Sequence, residues 1–133
     1  MSLENDASAG QDASPLAQTE SRRSSLLDIT VSRMEDTALM VLAGEVDMSS
    51  VSFLHEQFEE IADDVRTDLV VDLGLVTFLD SMGLSFLVTA HKQLENQGAR
   101  LVIFSPNQQV RRLFELTGLT SLLLITPEAS DDS

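Results

Sequence analysis

The chain has 133 residues, 43% of them hydrophobic, with 22 acidic against 8 basic side chains and a formal charge of −14. That size fits one domain with modest tails and a core that folds without staples, and the acidic field disfavours nucleic-acid backbones and anionic lipid surfaces as partners. With no cysteine there are no disulfides, thiol nucleophiles or thiolate metal sites.

Residues 1–25 are rich in Ser, Ala, Asp, Glu and Gln, lack the basic start and apolar stretch of a signal peptide, and are expected to form a disordered tail. Within them Arg22-Arg23-Ser24-Ser25 looks like a site for a basic-directed kinase, a tetrad common in polar tails. The folded domain is expected over residues 26–126. Leu27, Ile29 and Val31 alternate as in a half-exposed strand, Glu35-Asp36 turns the chain, and residues 38–43 are a continuous apolar run, so the two segments should pair as an antiparallel hairpin. Val51, Leu54, Phe58, Ile61 and Val65 then recur at helical spacing, with Asp47, Ser49 or Ser50 able to cap the helix.

Residues 69–73 read as a short apolar strand, followed by a short apolar loop into Asp80-Ser81-Met82-Gly83. Leu84, Leu87, Val88, His91 and Leu94 give the next helix one buried stripe, ended by Gly98. Residues 101–104 form a further strand. Ser105-Pro106 supplies an N-cap and a proline at the first helical position, Val110, Leu113 and Phe114 form the packing face, and Gly118 stops the helix. Residues 122–125 read as a last short strand, and residues 127–133 as an acidic tail.

Strands apolar on both faces and joined by helices run parallel through right-handed crossovers. The expected fold is therefore α/β, an open mixed sheet of four to five strands with three main helices and one antiparallel hairpin. In such sheets the functional edge lies beyond the carboxyl ends of the parallel strands. Gly44-Glu45-Val46-Asp47 and residues 75–82 both fall there.

The helix that begins near Ser81 offers free backbone N–H groups and a partial positive charge, a favourable place for an anion. Phosphate on Ser81 would add about −1.5 to −2 charge units beside Asp80. The plainer alternative, which composition favours, is that Asp80 or Ser81 caps the helix and Gly83 permits close packing. No catalytic residue, metal site or cofactor is expected. His55 and His91 fall in different predicted helices, Asp72 and Asp80 have no histidine placed to assist them, and no glycine-rich nucleotide loop is present. A phospho-aspartate receiver would need a lysine near the end of a later strand, whereas the single lysine, Lys92, falls on a helix.

Three motifs carry a resemblance. Gly44-Glu45-Val46-Asp47, the stretch from Val70-Val71-Asp72-Leu73 to Asp80-Ser81-Met82-Gly83-Leu84, and the segment from Val110-Arg111-Arg112 to Gly118-Leu119 are similar, in order and spacing, to the STAS domain of bacterial anti-sigma factor antagonists. The resemblance spans roughly residues 26–126 and implies a partner-switching protein; with no signal-peptide pattern and no run long enough to span a bilayer, a cytoplasmic location is expected. Such a protein binds an anti-sigma factor with a kinase fold and frees a sigma factor. It also implies that the kinase phosphorylates the second hydroxyl residue of an Asp-Ser-Ser/Thr-Gly loop and that a phosphatase reverses this. Here that position is Met82, so Ser81 is the candidate acceptor and is expected to be modified weakly or not at all. The partner surface implied is Glu45, Asp47, Leu79, Asp80, Ser81, Met82 and Gly83. The competing assignment is a STAS subunit of a lipid-transport ATPase or of a stressosome. Oligomeric state is not legible in the sequence.

Overall fold

The computed structural model describes residues 18–126. Six strands lie in the order β1-β2-β3-β4-β5-β6: β1 Gln18–Ser24, β2 Leu27–Met34, β3 Thr37–Val46, β4 Asp68–Leu79, β5 Arg100–Phe104 and β6 Leu124–Thr126. The helices are α1 Val51–Ala62, α2 Ser81–Asn96 and α3 Gln108–Thr117, with a 3₁₀ turn at Leu119–Ser121. β1, β2 and β3 pair antiparallel, and β3 through β6 pair parallel.

The α/β class is as the sequence implies, with three helices among the described residues, but the sheet they form has six strands rather than four to five. The additional strand is β1, so the expectation of a tail is corrected for residues 18–24. Residues 1–17 and 127–133, where the rest of the two tails was expected, lie outside the described residues. β1 carries no apolar alternation that would reveal it. Polar cross-strand pairs hold it to β2 instead: Thr19 and Ser32 hydroxyls at 3.0 Å, Ser21 and Thr30 at 2.9 Å, and Arg23 Nη2 donating to Asp28 Oδ2 at 3.0 Å.

Progression of the parallel strands in one direction places right-handed crossover helices on one face of the sheet. The inward residues Leu27, Ile29, Met40, Leu42, Leu69, Val71, Leu73, Leu101 and Ile103 share one core with Leu54, Phe58, Phe86, Leu87, Val110 and Phe114 of the helices. Phe86 anchors it. Its ring meets Phe58 edge-on at 5.6 Å and His55 at 4.9 Å, which locks α1 against α2.

Two local expectations change. The apolar loop expected after residue 73 is strand, because pairing of β4 with β3 continues to Val46 and Leu79 through irregularities near Ala43 and Glu45. The cap of α3 is Asn107 rather than Ser105, and its side chain accepts from the Val110 N–H at 2.9 Å. Ser105 and Pro106 precede it, Ser105 in the left-handed region (φ 59°) with its N–H donating to Thr126 O at 3.0 Å. Gly118 ends α3 in the left-handed conformation (φ 79°), as its sequence position implies.

Candidate functional site

Both segments assigned to the functional edge meet there. β3 ends at Val46 and the chain turns through Asp47, Met48, Ser49 and Ser50 into α1. β4 ends at Leu79 and Asp80 leads directly into α2.

Asp80 joins the two turns. Its backbone is extended (φ −105°, ψ −170°), which suits an N-cap. One carboxylate oxygen, Oδ1, accepts from the Met82 N–H at 2.9 Å and the Gly83 N–H at 3.1 Å. The other, Oδ2, accepts from the Met48 N–H at 3.2 Å across the loops, and the Asp80 N–H donates to Val46 O at 3.2 Å. Two first-turn donors of α2, the N–H groups of Met82 and Gly83, are thus satisfied internally. Of the two caps the sequence allowed, Asp80 is the one formed.

Gly83 is fixed by contact. A Cβ there would lie 2.6 Å from Leu79 Cδ1 and 2.9 Å from Val46 Cγ1, so any larger residue would force one of these side chains to shift. The first loop has its own clasp. Ser50 is buried, its hydroxyl donates to Glu45 O at 2.9 Å, and it accepts from the Asp47 N–H at 3.0 Å. Asp47 Oδ1 accepts from the Ser49 hydroxyl at 2.8 Å and the Ser49 N–H at 2.9 Å. These bonds, led by that from the Ser49 hydroxyl, hold the Asp47 carboxyl below its ordinary value against an opposing desolvation.

The seven residues assigned to the partner surface divide by exposure. Ser81 and Met82 face solvent, Glu45, Asp47 and Asp80 are half-buried, and Leu79 and Gly83 are buried. The last two support the surface and do not form it. Exposed Met48 and Phe78 belong to this edge but were not among the seven residues assigned to the partner surface. Phe78 was hidden because residues 74–79 read as loop, and Met48 because a lone methionine between capping residues has no periodic pattern. Met48, Phe78 and Met82 are 74%, 50% and 41% exposed, an apolar presentation the fold itself does not require.

Asp72 and Asp80 do not act as a pair: Asp72 Oδ1 accepts from the Gly74 N–H at 2.8 Å, whereas Asp80 serves its own cap. His91 is partly buried with its Nε2 3.8 Å from Glu95 Oε1, and His55 packs on Phe86. Among the described residues no cluster of His, Asp and Glu has metal-binding geometry, and no helix is long and apolar enough to cross a membrane.

The model of the STAS domain family matches residues 28–131. The chain belongs to the STAS domain family. It is 29% identical over 103 residues to the anti-sigma-B factor antagonist of Bacillus subtilis, covering 77% of this chain and 94% of that one. A crystal structure of an anti-sigma factor antagonist from Mycobacterium paratuberculosis superposes with a TM-score of 0.65 at 23% identity, covering 90% of this chain and 93% of that one. The Bacillus cell fate determinant SpoIIAA in its phosphorylated form superposes with a TM-score of 0.58 at 18% identity, covering 85% and 95%. These two structures establish likeness of fold. In this STAS chain the Asp-Ser-x-Gly turn is therefore the cap of α2 and the junction of the two edge loops.

Proposed function

We propose that the chain is an anti-sigma factor antagonist. It binds an anti-sigma factor of the serine-kinase type through the edge formed by residues 45–50 and 78–83, and so frees a sigma factor in the cytoplasm. The observation that carries this reading is the Asp80 carboxylate, which ties both loops together at an edge that also presents exposed Met48, Phe78 and Met82. An edge that presents exposed apolar side chains together with carboxylates suits a partner with basic residues around an apolar face. The Bacillus subtilis relative, named for this role, supports the assignment.

In this reading the chain works by binding and not by catalysis, and its control by phosphate is weak or absent. Met82 stands where the family's motif implies the acceptor hydroxyl, and Ser81 lies beside a carboxylate already holding the cap donors. A phosphatase would act on this chain only to the extent that Ser81 is modified.

The test titrates the purified chain into each anti-sigma–sigma complex reconstituted from the source organism and follows free sigma factor by size-exclusion chromatography. Release from at least one complex at micromolar chain is the expected result. No release from any complex, together with stable association with a transporter ATPase, would replace this reading with the transport-subunit one.

A further inference from the structure

β4 outruns its neighbour on one side. Its pairing with β5 ends at Asp72 and Phe104, whereas its pairing with β3 continues to Leu79. Residues 74–79 therefore have no strand partner on the β5 side among the described residues, and α3 stands beside them. Asn107 spans the gap, with Nδ2 donating to Val76 O at 2.8 Å while Oδ1 caps α3. Between strand and helix lies a groove of ≈ 300 Å³ lined by Phe78 on β4 and by Val110, Arg112, Leu113 and Leu116 on α3. Leu116 is 76% exposed, more than any other large apolar side chain among the described residues.

We infer that this groove is a second docking subsite for the anti-sigma factor, an inference that rests on the function proposed above. It receives an extended segment carrying an apolar side chain between Phe78 and Leu116 and a carboxylate against Arg112. Two observations select that occupant. The groove is continuous with the edge loops, since Phe78 belongs to both. Arg66, Lys92, Arg111 and Arg112 make no ion pair among the described residues, and of these four Arg112 is the one that lines the groove. In a chain of net charge −14 such a cation beside apolar walls recognises an apolar segment bearing a carboxylate. Glu45, Asp47 and Asp80 recognise basic groups on the same partner, so the two signs together fix how that partner lies.

The experiment uses the full chain and the anti-sigma factor whose sigma complex it dissociates. Affinities of wild type, Arg112→Glu, Leu116→Ser and Met82→Glu are measured by calorimetry, with thermal melts confirming that each variant is folded. Arg112→Glu and Leu116→Ser are expected to weaken binding by about tenfold each, the scale of a well-packed contact. Affinities within about twofold of wild type for both, while Met82→Glu weakens binding, would overturn the groove and leave the partner reading intact. If no anti-sigma factor binds wild type, both fall.

Discussion

The Met48 N–H donates to Asp80 Oδ2 at 3.2 Å, tying the loop before α1 to the cap of α2 through a single carboxylate. Residues separated by a helix and a strand thereby share one hydrogen-bonding group, and removal of that group should loosen both loops together. Asp80→Ala is expected to cost about 0.5–2 kcal/mol of stability, the range of a lost N-cap. It should also accelerate amide exchange at Met48, Met82 and Gly83 in concert. Asp80→Asn retains an acceptor for α2 and should keep most of the cap. Exchange unchanged at Met48 in Asp80→Ala would show that the cross-loop bond is not formed in solution.

The tight start of α2 gives a second expectation. A Cβ at position 83 meets the side chains of Leu79 and Val46, both buried in the core, so they must shift to admit it. Gly83→Ala should therefore destabilise the chain by about 1–3 kcal/mol, as overpacking does, despite the higher helix propensity of alanine. Urea denaturation measures it. A stabilised variant would mean that α2 begins farther from the strand ends.

Asp47 yields a dependence on pH. Its folded-state value is depressed, so the contribution of its bonds to Ser49 is fully present above the unfolded value and is lost as pH falls through the folded one. The loop should stay unchanged from neutral pH down to the ordinary carboxylate value of 3.8 and loosen only below it. An NMR titration of the Asp47 carboxyl carbon gives the midpoint. A midpoint above the ordinary value would contradict the bonding described.

Much of this arrangement was legible in the sequence. The alternation of Leu27, Ile29 and Val31 and the spacing of Val51, Leu54, Phe58 and Ile61 locate β2 and α1 because burial of one face imposes a period. β1 was not legible, since pairs such as Thr19 with Ser32 stabilise an edge strand without burying anything. The true cap Asn107 was masked by the adjacent Ser-Pro, and its second bond, to Val76 O, depends on a strand distant in sequence. The Asp-Ser-x-Gly turn was visible as a motif. That Asp80 reaches Met48 follows only from the parallel pairing of β3 with β4, which no local pattern encodes.

The same carboxylate bears on phosphorylation. Asp80 already accepts from the N–H groups of Met82 and Gly83, so phosphate on Ser81 would meet a like charge rather than free donors. Incubation with the cognate kinase and ATP should leave Ser81 substoichiometrically modified by mass spectrometry. Met82→Thr places a hydroxyl at the position the family motif implies for the acceptor and should take up phosphate there. Stoichiometric phosphate on Ser81 of wild type would refute the idea that the chain escapes this control.

Met82 is the residue on which the partner surface is most directly tested. Its backbone N–H serves the cap while its side chain stands 41% exposed, so its chemistry can be changed without disturbing the helix start. A carboxylate placed there adds to an edge that already carries Glu45, Asp47 and Asp80. Met82→Glu should therefore weaken binding to the anti-sigma factor by about tenfold or more, whereas Met82→Leu, similar in volume and polarity, should stay within about threefold of wild type. The contrast between the two separates loss of apolar contact from general perturbation of the loop, because both replace the same side chain. Equal affinity of wild type and Met82→Glu in calorimetry would remove the loop from the interface, since a new charge inside a desolvated contact cannot be energetically silent.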